Sequence, residues 1–257
     1  MSAGDAHEPS TEARAPGDRR GTLWVVSTPI GNLGDLTPRA AEVLGTVDVV
    51  ACEDTRRTGR LLQHLGLRKT LRSLHEHNER ARVREILQTL EQGRDVALVS
   101  DAGTPLLSDP GFLVVREAAT AGLTVRPLPG PSAALAALVV SGLPPYPFTM
   151  LGFPPPRSGR RQSFLRRFAE LAHTLVLFES PHRLLASLDD AIAVLGDRPA
   201  AIARELTKLH EEVLRGTLRE LRDELGARPK LQGEFVVVVG GSAQARSTER
   251  QRRRAGS

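Results

Sequence analysis

Short, continuously apolar runs alternate with longer amphipathic stretches along the first half of this chain, and that rhythm leaves few folds open to it. LWVVST (23–28), VDVVAC (47–52), DVALVS (95–100) and LTVRPL (123–128) are four such runs, with the shorter LRSL (71–74) a fifth. Their length, their Val and Leu content and the turn-formers around them predict strands. PRAAEVL (38–44), TRRTGRLLQHLG (55–66), NERARVREILQTLEQG (78–93) and FLVVREAATAG (112–122) carry helical periodicity, with Asn78 as an N-cap and Gly93 and Gly122 as helix stops. Strands that are apolar on both sides and return through helices predict a parallel sheet covered on both faces.

PGPSAALAALVVSG (129–142) adds an Ala/Leu helix, and LPPYPFTMLGFPPP (143–156) then places six prolines in fourteen residues. The proline-rich stretch marks a domain boundary, so residues 21–142 form one α/β domain and 143–242 a second. The second half reads as a helix near 159–172, a strand TLVLFES (174–180), a helix near 182–195, strands AAIAREL (200–206) and EEVLRG (211–216), a helix near 217–225 and a strand EFVVVVG (234–240). Short links between neighbouring strands predict a mixed sheet.

Residues 1–20 and 243–257 are polar tails expected to be disordered. The last fourteen residues hold five Arg against one Glu and the first twenty hold three Arg against four acids, so only +2 of the net charge of +5 remains on the body. Bulk charge therefore does not identify a nucleic-acid partner. The single cysteine, Cys52, excludes an internal disulfide and a four-cysteine zinc site. The N-terminus lacks the apolar core of a secretory signal and no apolar run is long enough to span a bilayer, which points to the cytoplasm and away from membranes.

In an open parallel sheet, ligands bind beyond the carboxyl ends of the strands. The five strands of the first half are followed by TPIGNLGD (28–35), EDTRR (53–57), HEHNE (75–79), DAGTPLLSDPG (101–111) and PGPSA (129–133). All five ends carry polar or small residues, more than turns alone require. Gly103 lets backbone approach a ligand, and Asp101 can accept hydrogen bonds from hydroxyls or an amine. A dinucleotide fingerprint, a Walker A segment and a nucleophile elbow are all absent. His75 and His77 have no third soft ligand nearby in sequence, so no metal is expected.

TPIGNLGDLTPRA, EDTRR, HEHNE, LVSDAGTPLLSDPG, PLPGPSAALAAL, GFPP, FESPHR, RELTKLHEE and GEFVVVV occur in this order. Over roughly residues 21–242 the chain thereby resembles the ribosomal RNA small subunit methyltransferase I family of the tetrapyrrole-methylase superfamily. Porphyrin-precursor methylases of that fold typically carry Gly-Asp-Pro where this chain has SDAGTP, a departure that favours RNA. The resemblance implies a two-domain class III methyltransferase, with S-adenosyl-L-methionine held between the domains, acting on a cytidine ribose 2′-hydroxyl of 16S rRNA, as a homodimer. It implies cofactor contacts at Ile30, Asp101, Thr104, Ser132, Ala133, Phe178 and Leu206, with close backbone approach at Gly31 and Gly103. Glu53, Asp54, Glu205 and Lys208 are the candidates for activating the hydroxyl. Arg56, Arg57 and Arg60, with Arg160 and Arg161 in PRSGRRQSFLRRF, are candidates for phosphate contacts to rRNA or the small subunit. Methyl transfer to a tetrapyrrole or a protein, and nucleotide binding without catalysis, are the alternatives.

Overall fold

The computed structural model describes residues 20–75 and 77–243, so the predicted tails, apart from Arg20 and Ala243, and Glu76 of HEHNE lie outside the described residues. The first half alternates as expected: β1 Thr22–Val26, α1 Pro38–Thr46, β2 Val49–Cys52, α2 Thr55–His64, β3 Thr70–Ser73, α3 Glu79–Glu91, β4 Val96–Val99, α4 Phe112–Thr120 and β5 Thr124–Leu128. The strands form one sheet in the order β3-β2-β4-β1-β5, every pairing parallel. Leu23, Leu98 and Val114 pack with α3 and α4 on one face; Val26, Val50 and Leu44 pack with α1 and α2 on the other. Burial on both faces is why β2 and β4 are apolar at every position. The edge strand β5 instead carries Pro127 and an exposed Arg126 whose guanidinium lies 5.6 Å from the Trp24 ring.

Gly93 and Gly122 do end their helices, with φ of 81° and 67°. Asn78 does not cap α3 with its side chain, which instead accepts from the His75 amide and donates to the Ser73 carbonyl. Glu79 supplies caps elsewhere: its Oε1 accepts from the amides of Gly111 (3.0 Å) and Leu113 (2.8 Å) at the start of α4. Gly111 has no side chain to cap its own helix, so the carboxylate of α3 fills that role.

The second half contains α5 Ala133–Val140, β6 Phe148–Gly152, α6 Ser158–Arg166, β7 Thr174–Glu179, α7 Leu184–Leu195, β8 Pro199–Arg204, β9 Glu212–Thr217, α8 Leu218–Gly226 and β10 Phe235–Val239. The sheet order is β6-β7-β10-β8-β9, parallel between β6 and β7 and antiparallel elsewhere, a mixed sheet as expected. Three elements depart from the sequence reading. The proline-rich stretch contains β6, an edge strand flanked by prolines rather than buried among them. β8 stops at Arg204, before a turn in which Glu205 and Thr207 take φ of 49° and 64°. The helix after 158 ends at Arg166, where the chain tightens into i+3 hydrogen bonds through Leu171.

Helix α5 packs on the second sheet. Its sequence was placed with the first half, yet Ala134, Ala137 and Leu138 pack against Val176, Ala201, Ala203 and Val236 of the second sheet. α6, α7 and α8 cover the opposite face through Leu165, Leu184, Leu188 and Leu221. By packing, the chain crosses between halves at Pro129–Ser132, before the helix, rather than at the prolines after it.

Arg161 departs from its expected role as well. Its side chain is 3% exposed and paired with Asp190 at 2.6 Å inside the second half, where Ser158 and Gln162 also donate to that carboxylate. Burial alone would push the Asp190 carboxyl up, but these three donors hold it below the usual range. Arg161 therefore fastens α6 to α7 and does not face RNA, whereas Arg160 beside it is exposed. We expect Arg161→Ala to lower unfolding stability by about 3–5 kcal/mol, because it strands a buried carboxylate. Arg160→Ala should change it by less than about 0.5 kcal/mol, both measured by urea denaturation.

Candidate active site between the two sheets

In the first sheet β1 and β4 lie side by side, while their onward connections leave toward opposite edges. The carboxyl ends of that pair form the switch point at which an α/β sheet opens a crevice. Thr28 and Gly103 bridge the two strand ends by reciprocal backbone hydrogen bonds of 2.9 and 3.0 Å. The buried Thr28 hydroxyl donates to the Ser100 carbonyl at 3.2 Å, and the Ser100 hydroxyl donates to the Gly103 carbonyl at 2.9 Å. Thr104 Oγ1 donates to the Pro131 carbonyl at 3.1 Å. Its one proton is then committed, so Ser27 Oγ, 3.1 Å away, is the donor in their contact. The loops after β1, β4 and β5 are thus held as one shelf. Gly103 has φ of +85°, and a Cβ there would come 3.2 Å from Ile30 Cγ2.

Above this shelf lies a cleft of about 350 Å3 whose walls come from both halves. Ile30, Asp101, Gly103, Thr104, Ser132 and Ala133 line the first wall, together with Leu107, Ser108 and Asp109. The second wall is the end of the second sheet where β7 finishes and β10 begins, with Phe178 paired opposite Val236 and Glu179 opposite Phe235. Phe153, just after β6, completes an aromatic pair with Phe178 at 5.3 Å between centroids. Seven of the nine expected cofactor residues therefore line one cavity.

The other two stand behind it. Leu206 packs with Ala133 and Phe178 in the core beneath the wall. Gly31 meets the turn after β8: a Cβ on it would come 2.4 Å from Lys208 Cγ and 3.0 Å from the Leu206 carbonyl oxygen. Its missing side chain lets the two halves touch, rather than letting backbone approach a ligand.

The four expected catalytic residues do not line this cleft. Asp54 caps α2, accepting from the Arg56 amide at 2.8 Å and pairing with the Arg56 guanidinium at 3.2 Å. Arg56 holds its carboxyl below the usual range. Glu53 is exposed at the end of β2. Lys208 Nζ lies 2.8 Å from Glu205 Oε1 and 3.1 Å from Glu234 Oε2. Partial burial opposes its charge, but the two carboxylates win and raise the ammonium above its ordinary value, while Glu205 is held low. Lys208 is therefore a fixed charge bridging two carboxylates, not a base at neutral pH.

Arg57 reaches the cleft, with Nε 3.7 Å from Asp101 Oδ2, and the Asp54 amide donates to Asp101 Oδ1 at 2.9 Å. A second hollow of about 160 Å3 continues from Arg57 and Asp101 past Thr28, Leu33 and Arg60. Arg56 is 85% exposed beside it. His75 and His77 approach edge to face at 6.0 Å, and His75 Nε2 contacts the Asn78 amide at 3.1 Å. Among the described residues no cluster of three or more His, Cys, Asp or Glu side chains is arranged to hold a metal ion.

Two residues of the cleft, Asp109 and Phe153, are absent from the expected site residues, although each lies in a motif that carries the resemblance, LVSDAGTPLLSDPG and GFPP. The repeated Asp of SDAGTPLLSDPG was the one available signal for Asp109. The parallel pairing of β6 with β7 is what brings Phe153 to Phe178.

The fold and this cleft have known counterparts. Residues 22–222 match the family model for tetrapyrrole (corrin/porphyrin) methylases. Solved structures with the same fold include the methyltransferase CobJ, with a TM-score of 0.66 and 22% identity over 87% of this chain and 95% of that one. The native uroporphyrin III C-methyl transferase from Thermus thermophilus gives a TM-score of 0.61 at 19% identity, covering 86% of this chain and 97% of that one. At such identities these two speak for the fold alone. Sequence relatives are nearer. A ribosomal RNA small subunit methyltransferase I from Micromonospora olivasterospora is 51% identical over 92% of this chain and 78% of its own length. The protein of that name from Escherichia coli O157:H7 is 47% identical over 86% of this chain and 78% of its own. The chain belongs to the tetrapyrrole methylase family and, within it, to the ribosomal RNA small subunit methyltransferase I family of S-adenosylmethionine-dependent rRNA methyltransferases.

Proposed function

We propose that the protein methylates the 2′-hydroxyl of one cytidine ribose in 16S rRNA, working as a homodimer on the small ribosomal subunit in the cytoplasm. The observation that carries this reading is the cleft itself, which joins the shelf of strand-end loops to Phe178 and Val236 of the second sheet. Its size is within the range of small-molecule sites, and it combines apolar walls with a few convergent polar groups. Ile30, Phe153, Phe178 and Val236 suit an adenosine moiety, Ser132 and Thr104 offer hydroxyls, and Asp101 offers an anion to an amine or a sulfonium. When bound, the cofactor supplies a methyl group on a positively charged sulfur, already a strong electrophile. The residues of the cleft then have chiefly to align the acceptor oxygen and exclude water. Arg57 and Arg60 line the adjoining hollow and supply charge for ribose-linked phosphates.

A dimer is supported by an apolar surface on α5 and the segment after it. Val139 is 73% exposed and Tyr146 is 87% exposed, with Leu135, Val140 and Phe148 also open to solvent. Exposed large apolar side chains gathered in one segment are commonly covered by a partner.

Three outcomes follow. Phe178→Ala should weaken S-adenosylmethionine binding about tenfold in calorimetry, through loss of one well-packed aromatic contact. Small subunits from a strain lacking the gene should carry one ribose that has become alkali-sensitive and is restored by the purified protein; no such ribose would discard the 2′-O-cytidine assignment. Light scattering should give twice the chain mass for the wild type, and Val139→Glu should shift the protein toward the monomer.

A further inference from the structure

Four carboxylates line the cleft, and three are held by donors. Asp101 takes the Asp54 amide and faces Arg57. Glu179 takes the Ser180 amide, the Ser187 hydroxyl and Arg183. Glu234 faces Lys208 at 3.1 Å. Asp109, on the same wall as Asp101, has no hydrogen bond or ion pair among the described residues. Its placement is nonetheless closely determined. Leu106 and Ser108, just before it, take φ of 70° and 79°, a conformation that side chains rarely adopt. Ser108 Oγ sits 2.9 Å from where a Cβ on Gly152 would stand, so the loop reaches the second half at that point. Just beyond Asp109, Glu79 anchors the amides of Gly111 and Leu113. A strained loop fixed at both ends thus presents one unpartnered carboxyl to the cavity, an arrangement that costs stability.

We propose that Asp109 is the general base that takes the proton from the acceptor hydroxyl during methyl transfer. This rests on the ribose-methylation reading above. As the hydroxyl oxygen forms its bond to the methyl carbon, Asp109 accepts the hydroxyl proton. The electron pair of the broken carbon–sulfur bond stays on sulfur, leaving a neutral thioether and a protonated carboxyl that returns its proton to solvent. Burial, and then the charges of Glu53 and Asp101, push the Asp109 carboxyl up to about 6 from an ordinary 3.8. A base ionising just below neutral pH combines availability with useful basicity. The charged groups around it are Glu53 at the end of β2, Asp101 with Arg57, and across the cleft Glu179 with Arg183 and Glu234 with Lys208.

The raised value also fixes a sign for stability. The folded state binds this proton more tightly than the unfolded chain does. Asp109 therefore destabilises the wild type progressively as pH rises from about 4 to about 6, and fully above that. Asp109→Asn removes the charge while keeping the shape. The test measures single-turnover methylation of small subunits from the deletion strain between pH 5 and 9, S-adenosylmethionine affinity by calorimetry, and Tm at pH 4, 6 and 8. We expect the variant's rate to fall by about a hundred- to ten-thousandfold and to lose its rise through pH 6. Cofactor affinity should stay within about threefold, where tenfold would mean about 1.4 kcal/mol. Its Tm should equal or exceed that of the wild type at pH 8, with the advantage vanishing toward pH 4. Asp109→Glu should keep the rise with pH at a reduced rate. A variant as fast as an active wild type, or one still showing the pH 6 rise, overturns the assignment. So does loss of cofactor binding together with a lowered Tm at pH 8, which would make Asp109 a structural residue. A wild type that binds cofactor but leaves small subunits unmethylated would instead overturn the substrate reading, and the base with it.

Discussion

The cleft depends on two backbone hydrogen bonds between Thr28 and Gly103. They tie the ends of β1 and β4 together where a parallel sheet would otherwise splay its loops into solvent. Ser100 and Thr28 reinforce the bridge from below, and the Ser27–Thr104–Pro131 chain extends it to the loop after β5. Ser27, Thr28 and Ser100 are buried and their hydroxyls find partners within the shelf, so it is stiff without a ligand to stiffen it. A stiff shelf is what alignment of a methyl donor requires, because small displacements of the reacting atoms cost large factors in rate.

From this shelf the rest of the site follows by contact. Ile30 lies against Gly103, and Gly31, next in sequence, lies against the Leu206–Lys208 turn of the second half. The shelf thereby sets the distance between the two sheets. Lys208 reaches from that turn to Glu205 and Glu234, closing the second wall around a fixed positive charge. The α5 helix leaves the shelf at Ser132 and packs at once on the second sheet, so the crossing between halves is short. Three of the carboxylates lining the cleft are held by donors, and Asp109 has none among the described residues.

The candidate site was legible in the sequence wherever it sits at a strand end. Ile30, Asp101, Gly103, Thr104, Ser132 and Ala133 follow apolar runs directly, and an open parallel sheet leaves such residues only one place to go. Lys208 is one of three lysines beside 32 Arg, but no sequence pattern shows that two carboxylates hold it charged. Arg160 and Arg161 are adjacent and chemically identical, and only the packing of α6 on α7 makes one a surface charge and the other a buried partner of Asp190. Asp109 and Phe153 reach the cleft through long-range placement, one on a strained loop and the other beside β7.

What the sequence determined by itself was periodic or ordered along the chain: the strand–helix alternation, the parallel sheet of the first half, the mixed sheet of the second, and the run of motifs that identifies the family. These rest on local residue patterns, each of which reports the faces a segment buries. The tertiary structure alone decided which half α5 belongs to, which arginine is buried, which carboxylates find donors and which one does not. Those outcomes depend on atoms far apart in sequence meeting within hydrogen-bond distance. Solvation and pairing at such sites are set by the assembled surroundings rather than by the residue type.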